Sequence, residues 1–227
     1  MANTRTYGDA CAAAHALDLV GERWALLIVR ELLLGPKRFT DLRAGLPGIS
    51  PNRLTQRLHE LEKTGLVKHR KLGPPARSSV YELTEWGRGL QPVLVELGRW
   101  GRLSPFRDLE AGISVDGLML ALSGDFDPTA TSGLVATYEL VFGDDHITVN
   151  VAGGRIGINR GESPTADATV TTDTATFAAV LTKRRPLDEA IRSGDLLLTG
   201  KAALVRALLD SFPRPQPVEA ATAQALD

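Results

Sequence analysis

The chain has 227 residues, of which 43% are hydrophobic and 23% charged, a composition typical of a globular protein with one large or two small domains. No apolar run approaches the roughly 20 residues of a membrane-spanning helix, and the polar N-terminus predicts that no signal peptide is present. The single cysteine, Cys11, excludes an intramolecular disulfide. We therefore expect a cytoplasmic protein.

The charges are divided unevenly along the chain. Residues 1–108 contain 17 Lys and Arg against 11 Asp and Glu, whereas residues 109–227 contain 9 against 16. This asymmetry predicts two modules with different partners, of which only the basic N-terminal one suits a polyanion.

The first half is predicted to be helical up to residue 64. An Ala-rich helix over residues 11–19 is interrupted by Gly21, and a nearly all-apolar, buried helix then starts at about Trp24. Gly35 and Pro36 end that helix, and a short helix follows over residues 39–43.

Ser50 and Pro51 predict a strong helix start, because serine caps free amides and proline is preset for the first helical position. Leucines at helical spacing form one face until Gly65 stops the helix. The other side carries the types of residue that pair with base edges or hold phosphates. The predicted DNA contacts of this helix are Ser50, Asn52, Arg53, Thr55, Gln56, Arg57 and His59.

A basic hairpin follows, with strands over residues 66–71 and 79–83 and a Gly-Pro-Pro tip at 73–77. Its predicted contacts to the DNA backbone or minor groove are Arg70, Lys71, Arg77 and Ser78. Thr84 can then cap a long last helix. Each feature alone is explained equally well by a solvated surface; the order of helix, tight turn, capped helix and basic hairpin carries the prediction of DNA binding.

Residues 8–103 resemble the HxlR-type winged helix regulators of bacteria, a branch of the MarR-like superfamily. The resemblance rests on Cys11 and on residues 17–24, 30–32, 35–39, 48–58 and 81–87. One departure is the sequence Gly-Glu-Arg-Trp at 21–24, where the family usually has Gly-Gly-Lys-Trp.

This resemblance implies a homodimer on double-stranded DNA, with two reading helices about 34 Å apart on a pseudo-palindromic operator. The dimer would be built from the first and last helices, through Leu17, Leu90, Leu94, Leu97 and Trp100. The alternative is that these residues pack inside one subunit.

Cys11 allows two interpretations. Some relatives with a cysteine here resemble redox or electrophile sensors, and a helix N-terminus would make the thiolate more reactive. The alternative is a small buried packing residue.

The second half predicts α+β structure with a mainly antiparallel sheet. Helices are predicted over 115–122, from a cap at Asp173 to 181, over 187–193 and over 201–212. Strands are predicted over 134–142, 146–152, 155–159, 168–171 and 195–199.

This half resembles the sterol-carrier-protein-like fold through residues 166–171, Asp173 with Phe177 and Leu181, and residues 195–201. The predicted organisation is therefore an N-terminal winged helix-turn-helix domain (1–103), a linker (104–114), a sterol-carrier-like domain (115–212) and a disordered tail (213–227). The resemblance implies an apolar pocket for a lipid-like small molecule that alters operator affinity; a scaffold without ligand is the alternative. Its candidate wall residues are Leu118, Leu122, Phe126, Phe142, Phe177, Leu181 and Leu197.

No catalytic, metal or cofactor site is predicted, since the sequence contains no nucleophile elbow, phosphate loop or Cys/His cluster. His146 beside two aspartates and the glycine-rich residues 153–157 are interpreted as turns. The rival to a DNA-binding regulator is a lipid carrier whose basic module contacts membrane or protein. The choice between repressor and activator stays open.

Overall fold

A computed structural model describes residues 6–73, 78–131 and 133–213. The chain divides into two compact units, Met1–Leu94 and Val95–Asp227. The division falls inside a helix, ahead of the predicted linker. No helix among the described residues is long and apolar enough to cross a membrane.

The first unit contains four helices before a two-stranded antiparallel hairpin, as predicted. The helices are α1 Ala12–Val20, α2 Ala25–Leu32, α3 Phe39–Ala44 and α4 Pro51–Lys63, and the strands are β1 Val67–Lys71 and β2 Ser79–Leu83. The apolar faces of these elements meet in a core that is fully enclosed around Ile28, Leu32, Leu42, Leu54 and Leu58.

The predicted long helix after Thr84 is instead two helices, α5 Glu85–Arg88 and α6 Gln91–Arg102. The Thr84 side chain accepts a hydrogen bond from the Gly87 amide at 3.0 Å, so the predicted cap is confirmed. Gly87 lies against the Leu66 carbonyl, where a Cβ atom would overlap. Gly89 is the C-cap of α5, and the chain turns there before α6 begins.

The part of α6 that belongs to the second unit is held against helix α7 Val115–Asp125. The Arg99 guanidinium donates to the Gly124 carbonyl from Nε at 2.8 Å and from Nη2 at 2.6 Å. Arg102 pairs with Asp125, whose pKa is raised by burial in spite of this neighbour. These contacts satisfy carbonyl and carboxylate groups at the C-terminal end of α7 with positive charge, which is favourable there.

The second unit is a five-stranded sheet with helices on one face. After α7 and a 3-10 turn at Pro128–Thr131, the chain forms β3 Ala136–Phe142, β4 Asp145–Ala152, β5 Arg155–Arg160, β6 Ala168–Thr172, α8 Thr174–Leu181, α9 Leu187–Ser193, β7 Leu196–Gly200 and α10 Ala202–Asp210. The strand order is β5-β4-β3-β6-β7. The β3–β6 pair is parallel and the other three pairs are antiparallel, so the sheet is mixed.

Alternating burial shows which sheet face the helices cover. On β3, Tyr138, Leu140 and Phe142 are buried, and the Tyr138 hydroxyl donates to the Leu204 carbonyl of α10 at 2.9 Å. The residues between them are partly exposed, which leaves a polar outer face rich in threonine and asparagine. The core of the unit therefore lies between one sheet face and the helices.

The predicted apolar wall residues mostly belong to this core. Leu118, Leu122, Phe142 and Phe177 are buried, and Phe126 and Leu181 are partly buried. The Phe142 and Phe177 rings meet edge to face, with centroids 5.6 Å apart. The prediction for Leu197 is wrong: its side chain is 62% exposed, because the alternation on β7 turns Leu196 inward and Leu197 outward.

Candidate nucleic-acid interface

Helix α4 is anchored by its cap and by one apolar face. The Ser50 hydroxyl accepts a hydrogen bond from the Arg53 amide at 3.3 Å, and Pro51 occupies the first helical position. Leu54, Leu58 and Leu61 are at most 1% exposed. Burial of these leucines fixes the rotation of the helix, and so determines which side chains face solvent.

The solvent face of α4 carries five polar side chains within its first two and a half turns. All five are exposed: Asn52, Arg53, Thr55, Gln56 and His59. Gln56 donates from Nε2 to Glu60 Oε1 at 3.1 Å, which orients its amide. Asn52 and Arg53 make no side-chain hydrogen bond to the described residues, so their donors are available to a ligand.

Arg57 does not belong to this exposed set. Its side chain is only 6% exposed; it pairs with Glu60 on the same helix and with Glu22, whose Oε2 lies 3.4 Å from Nη2. The prediction that Arg57 contacts DNA is therefore corrected. Arg57 is on the buried side of α4, one turn from Leu54, and its ion pair with Glu22 connects α4 to the chain before α2. Glu22 stands where the resembled family usually has glycine, so this tie involves the one departure noted in the sequence.

The hairpin places its basic residues on two faces. Lys68 and Arg70 both contact Glu82, at 2.9 and 3.2 Å, because Lys68 pairs with Glu82 across the strands. The Lys68 hydrogen bond, supported by Arg70, holds the pKa of Glu82 below its usual value. Two cations on one carboxylate leave a net positive charge, and both cationic side chains are about half exposed. On the other face, the rings of His69 and Tyr81 stack at 4.7 Å.

Towards the tip, Lys71 is exposed and the Leu72 amide donates to the Ser78 carbonyl at 2.8 Å. The Ser78 hydroxyl is buried and has no hydrogen-bond partner among the described residues. The prediction that Ser78 contacts DNA is therefore corrected, because its hydroxyl does not reach the surface. Arg77, the other predicted contact here, lies outside the described residues.

A buried ion cluster supports the helix-turn-helix, and sequence reasoning missed it. Glu31 is fully buried within α2; its two carboxylate oxygens meet Arg30 and Lys37, each at 2.8 Å. Arg30 also approaches the Gly45 carbonyl at 3.5 Å, and a Cβ atom on Gly45 would overlap with Glu31. The cluster therefore joins α2 to both ends of α3. The available signal was a glutamate in a mostly apolar helix, directly after Arg30 and six residues before Lys37.

The predicted dimer residues differ in burial. Leu17, Leu97 and Trp100 are exposed, with Trp100 at 75%, whereas Leu90 is partly buried. Leu94 is buried, because it faces inward from α6; the prediction that it forms a dimer surface is corrected on that ground.

Cys11 is exposed and occupies the N-cap of α1. The backbone N–H groups of Ala14 and Ala13, in the first turn of α1, lower the pKa of its thiol. The alternative of a buried packing residue is therefore wrong.

Comparison with known proteins supplies a match for each half of the chain. Residues 19–106 match the family model described as HxlR-like helix-turn-helix, and residues 107–218 match the model described as alkyl sulfatase C-terminal. The sterol-carrier-like character expected of this half stays a prediction. No group of three or more His, Cys, Asp or Glu side chains suited to a metal ion occurs among the described residues.

The uncharacterized HTH-type transcriptional regulator YvaP of Bacillus subtilis (strain 168) is 40% identical over 85 residues, which is 37% of this chain and 79% of that protein. The HTH-type transcriptional regulator YodB of the same organism is also 40% identical over 85 residues, 37% of this chain and 76% of YodB. Among solved structures, the sec-alkylsulfatase Pisa1 from Pseudomonas sp. has 22% identity and a TM-score of 0.44. That match covers 47% of this chain but only 17% of Pisa1.

Proposed function

This chain belongs to the HxlR-like helix-turn-helix family and is a DNA-binding transcriptional regulator, and we propose that it reads its operator with helix α4 in the major groove. The observation that carries the proposal is the arrangement of α4 itself. A capped N-terminus and a fully buried leucine face present Asn52, Arg53 and Gln56 outward, and these side-chain types can pair bidentately with adenine or guanine.

The hairpin β1–β2 is proposed to hold the DNA backbone. Lys68, Arg70 and Lys71 carry three positive charges against the single carboxylate of Glu82, so the strand pair attracts phosphate without reading bases. Arg77 is proposed to extend this contact at the tip.

We further propose a homodimer on a pseudo-palindromic site, in which exposed apolar residues of α1 and, separately, of α6 contact the partner subunit. Leu17, Leu97 and Trp100 are large apolar side chains with 51%, 46% and 75% of their surface exposed, which a partner subunit would cover. Two-fold symmetry would space the reading helices by about one turn of DNA, roughly 34 Å.

The test is selection of bound duplexes from a random pool by the full chain at physiological salt. Enrichment of a two-fold symmetric motif supports the proposal, and Arg53→Ala should weaken that enrichment and relax the base preference at one position of each half-site. Arg88→Ala removes an exposed arginine of α5, outside α4 and the hairpin, and should leave the motif unchanged. The same change of the selected motif in both variants would contradict the assignment of base reading to α4.

The rival function is a lipid carrier whose basic module contacts a membrane. Salt dependence does not separate the two, since anionic lipids and DNA both attract cations. Sequence preference does, because a membrane-binding module has none among duplexes.

The second unit is proposed to be a sterol-carrier-like domain in which an apolar small molecule modulates operator affinity. Its support is a single layer of helices over one sheet face, which is an arrangement able to open between the layers. A ligand can act only if it binds one state of the regulator more tightly than another. Apolar compounds that bind the chain should raise its melting temperature, and such compounds can then be tested for an effect on operator affinity. If operator affinity stays constant in their presence, the proposed modulation is wrong.

A further inference from the structure

Residues 22–24, which lead into helix α2, contain a backbone conformation that bulky residues rarely adopt. Trp24 is the N-cap of α2, and its φ of 82° and ψ of −18° lie in the left-handed region. The Cβ atom of an L-residue crowds the following carbonyl there, so the conformation is strained. Such strain persists only where the surroundings hold it in place, and it occurs mainly at functional positions.

The surroundings of Trp24 belong to the reading helix α4 and to the turn before it. The Trp24 Cη2 atom lies 3.9 Å from the place that a Cβ atom on Gly48 would occupy, two residues before the Ser50 cap. Two residues before Trp24, the Glu22 carboxylate lies 3.4 Å from Arg57 Nη2, in the second turn of α4. Residues 22–24 are therefore fixed beside the N-terminal part of α4.

The residue between these two contacts is Arg23, whose guanidinium lies over the Trp24 ring. Its Cζ atom is 5.2 Å from the ring centroid, within the roughly 6 Å of a cation–π contact. Arg23 is exposed and makes no hydrogen bond or ion pair with the described residues. The N–H donors of this guanidinium are therefore available to an external acceptor, and their planar fork matches the oxygens of a phosphate.

The contact with Trp24 also restricts the motion of the Arg23 side chain. A long exposed side chain loses rotamer freedom when it binds, and a side chain that is already held loses less. The acid next to it in the sequence, Glu22, is engaged by Arg57 and makes no ion pair with Arg23. Arg23 is thus a preorganised cation beside the N-terminus of α4.

We propose that Arg23 holds a phosphate of the DNA backbone at the edge of the groove that α4 enters. The inference rests on the proposed function, because a reading helix presents its N-terminal residues to the base edges and brings the groups beside them to the sugar-phosphate backbone. Trp24 is a positioning residue, which acts on DNA only through Arg23.

The test is the affinity of the full chain for a duplex with the selected motif and for a scrambled duplex, measured by fluorescence anisotropy over a range of salt concentrations. Arg23→Gln should weaken binding to both duplexes by about tenfold per subunit at fixed salt. It should also reduce the slope of log K against log salt by about 0.9 per subunit, because one phosphate contact is lost. The ratio of the two affinities should not change, since a phosphate contact carries no sequence information.

Arg88→Gln is the matched control, because it removes the same charge from an exposed arginine of α5 and should change neither affinity nor slope. Arg23→Lys keeps the charge and so the slope, but should weaken binding by about threefold, since an ammonium lacks the planar fork. Trp24→Leu should likewise keep the slope and weaken binding. In the Trp24→Leu background, Arg23→Gln should cost less affinity than in the original chain, because the two residues act together. Circular dichroism checks that each variant is folded.

Two outcomes overturn the proposal. One is a folded Arg23→Gln chain whose salt slope equals that of Arg88→Gln; the other is a strictly additive effect of Arg23→Gln and Trp24→Leu, which would remove the coupling between the ring and the guanidinium. A chain that selects a motif but shows the first outcome would contradict the Arg23 contact alone. A chain that binds duplexes without base preference, yet loses salt slope in Arg23→Gln, would keep the contact and contradict base reading by α4.

Discussion

The different burial of Arg53 and Arg57 gives the sharpest prediction about α4. Both residues are arginines of α4, but the side chain of Arg53 faces solvent, whereas that of Arg57 is buried with only 6% of its surface exposed. We expect Arg53→Ala to affect DNA reading without affecting folding, and Arg57→Ala to affect folding first.

The magnitude for Arg57→Ala follows from its partners. Stranding a fully buried charge costs about 3–5 kcal/mol, but Glu22 and Glu60 are 49% and 43% exposed and regain water when the arginine is lost. The substitution therefore removes the packing of the aliphatic part of the arginine side chain and two partly exposed ion pairs. Together these should lower the free energy of unfolding by about 1–2 kcal/mol. Arg53→Ala should change that free energy by no more than about 0.5 kcal/mol.

For DNA the order reverses. Loss of one bidentate base contact costs about 1–3 kcal/mol, so Arg53→Ala should weaken binding to the selected motif by roughly 5- to 150-fold. Arg57→Ala should change the affinities for selected and scrambled duplexes by the same factor, which stays close to one as long as the variant is folded. The ratio of the two affinities is therefore the informative quantity.

The assays are urea unfolding followed by tryptophan fluorescence, and fluorescence anisotropy of labelled duplexes at fixed salt. The reasoning is refuted if Arg57→Ala lowers the affinity ratio as much as Arg53→Ala does while its unfolding curve is unchanged. That result would mean that Arg57 leaves its buried position when DNA binds.

Three further predictions concern single groups. Gly45→Ala should destabilise the first unit by about 1–3 kcal/mol in urea, because the added Cβ displaces Glu31 from its buried ion cluster. The hydrogen bond that His146 Nδ1 donates to the Glu139 carboxylate raises the pKa of His146 above its unfolded value. This pair therefore stabilises the second unit at pH values below the ordinary histidine pKa and ceases to do so as pH rises through the raised one, and the unfolding midpoint should fall over that interval. The Cys11 thiol, with its lowered pKa, should react with iodoacetamide at a lower pH than a free cysteine, and mild peroxide should weaken operator binding.

Matched variants control these three measurements. Gly73→Ala adds a Cβ atom that meets nothing within 4 Å, and should be neutral in urea. Glu139→Gln should flatten the pH dependence of the unfolding midpoint. Cys11→Ser should remove both the labelling and the peroxide effect; peroxide sensitivity that persists in Cys11→Ser would contradict a sensing role.

Local chemistry made most element boundaries predictable. Ser50, Thr84 and Asp173 were each expected to cap a helix, and each side chain accepts a hydrogen bond from the amide three residues on. Such caps depend on four or five consecutive residues, which is why the sequence alone predicts them.

Features set by distant partners were not predictable in this way. Three consecutive leucines on β7 carry no alternation, so only pairing with β6 decides that Leu196, opposite Thr172, faces the core. The parallel β3–β6 pair is likewise absent from any local pattern. Arg57 looked like part of a polar face because its burial depends on Glu22, 35 positions earlier in the chain.

The two edges of the five-stranded sheet determine how the second unit resists self-association at high concentration. Unpaired edge strands invite pairing with another molecule unless charge, brevity or a bend discourages it. Strand β5 begins with the exposed Arg155, a charge that discourages pairing of this edge, whereas Arg160 at its other end is paired with Asp116 and Asp145. Strand β7 has five residues and ends at Gly200, whose φ of 85° turns the chain away, yet its second residue, Leu197, is exposed. The β7 edge is thus the weaker of the two, and Leu197 is the position at which a charged side chain would improve solubility without disturbing the core.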